Sequence, residues 1–138
     1  MNLSFTWTDL RNYVILLLIF LVIDAVWLLG IARGLYAKQL EELMAPKPKW
    51  IAAGLFYLLY ALGLLLFVVR TALVVGRWEA ALLPGLLFGL IAYATYDLTN
   101  QATVRNWPVL ITVVDLLWGA TVSGLTSLFS YWIIRRLP

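Results

Sequence analysis

Hydrophobic residues run along this chain in four long blocks, with polar and charged residues gathered between them. The first block spans about 13–32, between Arg11 and Arg33. The second covers about 50–69 and stops at Arg70, the third covers about 80–99, and the fourth runs from Trp107-Pro108 to about 134, before Arg135-Arg136. Each is roughly 20 residues or longer, the length of helix that crosses a hydrocarbon core of about 30 Å. The pattern predicts an all-α, integral membrane four-helix transmembrane bundle forming a single domain over 1–138. The fourth block is long enough to require tilt or overhang.

The connection from Gly34 to Lys49 is the longest. Leu35, Tyr36, Leu40, Leu43 and Met44 recur there at helical spacing, with Lys38, Glu41 and Glu42 between them. This predicts a short interfacial helix between spans 1 and 2, ended by Pro46 and Pro48. It reads either as a cap on a pocket or as a plain connector. Pro108 fits the opening turn of a helix, and Pro84 falls in the first turns of span 3. Trp7, Tyr13, Trp50, Trp78, Trp107, Tyr131 and Trp132 stand near the span ends, where an aromatic belt belongs. The polar start, Met1 to Asp9, and the lack of a small-residue cleavage site mark the first block as a span, not a secretion signal.

Composition agrees with the pattern. The chain is 64% hydrophobic, only 12% charged, and has a mean hydropathy of +0.94. A soluble domain needs a more polar surface. Cysteine and histidine are both absent. Disulfides, thiol nucleophiles, zinc sites, histidine-ligated haem and the usual general base are thereby excluded. No phosphate loop, nucleophile elbow or dinucleotide fingerprint is present, so no cofactor is expected. The net charge of +3 is scattered through the loops and reads as membrane-flanking charge, not a nucleic-acid footprint. With the N-terminus inside, Arg11, Arg70, Arg77, Arg135 and Arg136 face Arg33, Lys38, Lys47, Lys49 and Arg105 across the membrane. This tie leaves orientation undecided by the positive-inside rule. The terminal Arg pair and the α-amino group lean toward both ends inside. An antiparallel homodimer of dual topology would show the same tie.

Three carboxylates interrupt the spans: Asp24, Asp97 and Asp115. A charge at bilayer depth costs at least about 2.5–3.5 kcal/mol on insertion scales, so such residues turn to the protein interior. Asp24 lies nine residues before Arg33, Asp97 eight before Arg105, and Asp115 eight after Trp107. At about 1.5 Å per residue, each sits some 12 Å in, in the same leaflet. Asp24-Ala-Val-Trp27 echoes Asp115-Leu-Leu-Trp118, and Tyr57-Leu-Leu-Tyr60 echoes Tyr93-Ala-Thr-Tyr96. Residues three apart share a helix face, so the outer helices bring Asp and Trp, and the inner helices Tyr pairs, to one level. Span 4 adds a stripe of Thr112, Asp115, Gly119, Ser123, Thr126 and Ser130. Span 3 carries Gly85, Gly89, Ala92, Tyr96 and Asn100 on one face, with Gly85 and Gly89 as a close-packing pair.

These residues support three readings. The first is a pocket for a membrane lipid or small amphipathic ligand. Asp97, Asp115 and Asp24 would handle protons, and Tyr96, Asn100, Tyr93, Tyr57, Tyr60, Trp27, Trp118 and Thr112 would contact the ligand. The second is a dimeric, proton-coupled transporter of small cations. The third is a structural or assembly partner whose polar groups lock helices together. Carboxylates with an Asn suit a hard cation, but no established metal motif is present, and no metal is expected.

The run Ala92-Tyr93-Ala94-Thr95-Tyr96-Asp97-Leu98-Thr99-Asn100, then Ala102-Thr103, Trp107-Pro108, Thr112, Asp115 and Trp118-Gly119, resembles a known family. Asp24-Ala-Val-Trp27-Leu28, Arg33 and Tyr36 extend the likeness to nearly the whole chain. The family is that of small bacterial predicted membrane proteins catalogued as domain of unknown function 2177. The resemblance implies a multi-pass protein of the bacterial cytoplasmic (inner) membrane and brings no established activity.

Overall fold

A computed structural model of the chain describes residues 4–138. The polar start read from Met1 and the α-amino group lie partly outside the described residues. Helix α1 (Trp7–Trp27) opens on a reciprocal cap. The Asp9 amide donates to Thr6 Oγ1 at 3.2 Å, and the Thr6 amide donates to Asp9 Oδ2 at 3.0 Å. Two otherwise unpaired N–H groups are satisfied in this way. Helix α1 continues through a π-helical segment, Leu28–Ala32, into α2 (Arg33–Gln39). The second span is α3 (Trp50–Leu64), a π-helical segment Leu65–Val69, and α4 (Arg70–Val75). It ends on Gly76, whose φ of 74° is cheap only for glycine. Helices α5 (Glu79–Thr103) and α6 (Val109–Ile134) complete the chain.

Among the described residues, four helical rods are long and apolar enough to cross a membrane: Trp7–Gln39, Trp50–Val75, Glu79–Thr103 and Val109–Ile134. The first has 33 residues. At about 1.5 Å per residue it measures about 50 Å and must overhang a core of about 30 Å. This corrects the expectation of a separate interfacial helix. The hydrogen-bond ladder runs unbroken through Gly30 and Arg33, so α2 is the top of span 1. Beyond it the chain turns at Leu40, and Pro46 and Pro48 keep the rest of the connection from coiling. Pro108 is the residue before α6, not its first turn. Two belt aromatics turn inward: Trp107 and Tyr131 are buried, whereas Trp7, Trp50 and Trp78 stay exposed.

Helix α6 is the axis of the bundle. Its tightest partner is α5, followed by α1, and the π segment of span 2 also touches it. Small residues make the α5–α6 approach possible. A Cβ on Gly89 would overlap the Gly119 carbonyl oxygen, and one on Gly85 would press Ser127 Oγ at 2.8 Å. Ser123, Thr126, Ser127 and Ser130 are wholly buried along this seam, chosen for volume more than bonding, since the last three hydroxyls have no partner. On the outer face of α5 and α6, Thr95, Thr99, Thr103 and Thr121 each donate to the carbonyl four residues back. That internal bond satisfies a hydroxyl facing lipid.

The apolar core gathers in the half that holds the chain ends and the 76–78 turn. Leu16 and Phe20 of α1 pack there on Ala61, Leu64, Leu65, Val68 and Val69 of span 2 and Val122 of α6. The Arg70 guanidinium pairs with Asp9 at 3.3 Å and ties span 2 to span 1 at that end. In the opposite half, α5 diverges from α3: it runs beside Leu65–Val75 but not closely beside Trp50–Leu64. Aromatic rings bridge the gap instead. Tyr60 meets Phe88 edge-on at 5.4 Å and Tyr93 at 6.2 Å.

Candidate functional site

All three intramembrane carboxyls are buried, with exposures of 6% for Asp24, 0% for Asp97 and 8% for Asp115. Among the described residues, none of them is ion-paired. Their surroundings differ. Asp24 is fully engaged: Tyr57 donates to Oδ2 at 2.5 Å and the Trp118 indole to Oδ1 at 3.1 Å. Trp118 in turn stacks on Trp27, with ring centres 4.5 Å apart and planes 9° from parallel. The two Asp-x-x-Trp patterns therefore interlock, each lending one group to a joint between α1 and α6. The indole N–H of Trp27 is buried beside the Tyr36 hydroxyl, short of a well-formed hydrogen bond.

Asp115 accepts a hydrogen bond from the Tyr36 hydroxyl through Oδ1. Asp97 lies within hydrogen-bond reach of Asp115 on the neighbouring helix, and among the described residues no other group donates to either of its oxygens. Both carboxyls line a cavity of about 360 Å³ together with Phe56, Tyr60, Ala92, Tyr93 and Tyr96. The cavity fills the space left where α3 and α5 diverge, and α6 closes its back. Phe56 and Tyr96 stand at its outer edge, 42% and 62% exposed. Tyr60 is held in place by its hydroxyl, 2.7 Å from Ser123 Oγ, and by stacking on Phe20 at 5.1 Å. The Tyr93 ring lies flush on Gly119, where any side chain would overlap it.

The residues named from sequence thus fall into three groups. Asp97, Asp115, Tyr60, Tyr93 and Tyr96 share the cavity wall. Asp24, Tyr57, Trp27 and Trp118 form the adjoining joint and do not line the cavity. Thr112 and Asn100 lie apart from both. Thr112 accepts from the Trp107 indole at 3.2 Å and donates to Gln101 Oε1 at 2.9 Å, while Gln101 reaches the Trp107 carbonyl at 3.1 Å. That ring of bonds fastens the α5–α6 turn. The Asn100 side chain, part-buried one turn beyond Asp97, does not reach the cavity wall. Among the described residues, no three carboxylates converge as a cation cage requires.

Tyr36 and Phe56 were not picked out by residue chemistry. Tyr36 stands 12 residues after Asp24. At about 100° per residue, an unbroken α-helix would put it about 120° away from the Asp24 face. A π-helical turn takes up one extra residue. The remaining 11 steps bring Tyr36 to within about 20° of Asp24, facing the bundle. Helical side chains lean toward the helix N-terminus, so Tyr36 reaches down from α2 to Asp115. Phe56 carries no chemical signal; one turn before Tyr60 on α3, it marks that wall only once α5 is seen to diverge.

Four apolar rods, a seam of small residues and a buried polar level define a multi-pass membrane protein. The model of the predicted membrane protein family DUF2177 matches residues 10–132, and the chain belongs to that family. No curated protein and no solved structure matches the chain.

Proposed function

We propose that this protein binds a lipidic or amphipathic small molecule in the Asp97–Asp115 cavity, within the bacterial cytoplasmic membrane, and carries out acid–base chemistry on it. The observation that carries the reading is Asp97. It is fully buried, its carboxyl meets only the Asp115 carboxyl among the described residues, and it borders a cavity. Leaving a buried polar group unsatisfied costs about 1–3 kcal/mol, and more for a charge, so an arriving partner is the economical account of it. Two carboxyl groups side by side with no cation nearby hold one proton between them more readily than two charges. Such a pair can give a proton to a bound molecule or take one from it.

In this reading Asp97 and Asp115 are the proton-handling groups, and Tyr36 fixes the orientation of Asp115. Tyr60, Tyr93 and Tyr96 flank the ligand. Asp24, Tyr57, Trp27 and Trp118 act as the frame, because the hydrogen-bonding capacity of Asp24 is already spent on its neighbours. The test is the lipid and isoprenoid profile of cells carrying Asp97→Asn or Asp115→Asn. Accumulation of a precursor or loss of a product supports the reading. Profiles identical to wild type for both variants remove the chemical step.

A further inference from the structure

The chemistry of the cavity also selects a class of head group; this inference rests on the pocket reading above. We infer that the cavity takes the ammonium head of a lipophilic amine, whose chain leaves between α3 and α5 into the membrane.

Charge comes first. The only ionisable groups of acid strength on the wall are two carboxyls, and neither is ion-paired among the described residues. The Lys and Arg residues of that half lie on α2 and in the connecting segments: Arg33, Lys38, Lys47, Lys49 and Arg105. A phosphate or carboxylate head would enter against its own charge, with no guanidinium or ammonium to receive it. A cation enters with the field.

Acceptor count comes second. Tyr36 occupies Asp115 Oδ1, and among the described residues no donor outside the carboxyl pair reaches Asp97. Once the proton shared by the pair has left, three acceptor oxygens remain: both of Asp97 and Asp115 Oδ2. An ammonium group brings three donors, whereas an alcohol brings one and would leave Asp97 largely unsatisfied. The walls come third. Phe56, Tyr60, Tyr93 and Tyr96 surround the carboxyl pair with four aromatic rings. Aromatic faces attract a cation and offer an alcohol no such gain.

Size decides where the rest of the molecule goes. At about 30 Å³ per small heavy group, the volume a water molecule occupies in the liquid, the cavity holds roughly a dozen such groups. Dodecylamine, with 13 heavy atoms, already exceeds that number, and longer amines do so further. The amine's chain must pass the exposed edge at Phe56 and Tyr96, where α3 and α5 stand apart.

The experiment uses the full chain in phosphatidylcholine nanodiscs, with empty nanodiscs as the blank and intrinsic tryptophan fluorescence as the readout. The probes are dodecylamine, dodecanol, dodecyl phosphate and butylamine. Dodecylamine is expected to bind at least tenfold more tightly than dodecanol or dodecyl phosphate, and Asp97→Asn to weaken it at least tenfold. Butylamine, which carries the same head without the chain, is expected to bind far more weakly. Phe56→Trp enlarges a side chain at the edge without touching the carboxyls and should weaken dodecylamine at least threefold. That variant keeps the test decisive if Asp97→Asn does not fold. Dodecanol binding as tightly as dodecylamine, with both lost in Asp97→Asn, overturns the amine assignment and leaves the pocket reading standing. Butylamine matching dodecylamine, with Phe56→Trp inert, overturns the membrane route and makes the ligand a free solute. If no probe distinguishes Asp97→Asn or Phe56→Trp from wild type, both this inference and the pocket reading fail.

Discussion

Asp24 and Asp97 are the same residue type at similar depth, yet they stand in opposite energetic positions. Asp24 receives two donors from two other helices. Removing it strands the Tyr57 hydroxyl and the Trp118 indole N–H. Asp24→Leu should therefore lower stability by about 2–4 kcal/mol, at about 1–3 kcal/mol per stranded group. Asp97 receives no donor from the fold beyond its contact with the Asp115 carboxyl, and the cavity beside it leaves room for an apolar side chain. Asp97→Leu should raise stability by about 1–3 kcal/mol, the sign expected when an uncompensated buried polar group gives way to an apolar one. Thermal unfolding of the two variants beside wild type checks both signs. A loss of stability in Asp97→Leu would mean that the carboxyl has a partner inside the fold. The pairing of stability gain with functional loss is the pattern of a residue kept for activity.

At the scale of elements, the π segment Leu28–Ala32 has the clearest consequence. Deleting Leu29, which is 75% exposed and faces away from the bundle, removes the extra residue that the π turn takes up and should leave Tyr36 facing Asp115 on an uninterrupted α-helix. The measurement is a double-mutant comparison. Tyr36→Phe should cost about 1–2 kcal/mol in the intact chain, as loss of a hydrogen bond to a buried acceptor does. In the deletion background it should cost the same. Disappearance of that cost in the deletion background would show that the segment does not take up the extra residue.

The same segment explains what the sequence could and could not disclose. Depth is a count along the chain, and it was legible: Asp97 and Asp115 are neighbours, and Trp118 links that level to Asp24. Direction around a helix axis depends on register, and one π turn changes register without leaving a mark in composition. Sequence spacing therefore puts Tyr36 on a separate interfacial helix. The span positions were legible because hydropathy is a sum over many residues. Their overhangs were not, because Lys38 and Gln39 continue the ladder of α2 despite their polarity. Thr112 lies on the buried face expected of it, but the turn at 104–108 draws it to Gln101 and Trp107. Such a contact across a turn has no periodic signature.

For the whole molecule, four crossings return the chain to the side from which it began. The contacts at that end agree. Arg11 donates to the Pro138 carbonyl at 2.8 Å, and Arg135 donates to the Gly76 carbonyl at 3.2 Å. Reporter fusions at the two ends should therefore report the same compartment, whichever way the tied Lys and Arg residues orient the bundle. Opposite compartments would require an odd number of crossings.

The divergence of α3 from α5 has a last consequence, for measurement. A molecule entering from that side is drawn from the bilayer, so its effective concentration is a mole fraction in lipid. Doubling the lipid at fixed total ligand dilutes it for the site, although the bulk molarity is unchanged. Apparent dissociation constants quoted in molar units will then rise with lipid content, while the same data plotted against ligand per lipid fall on one curve.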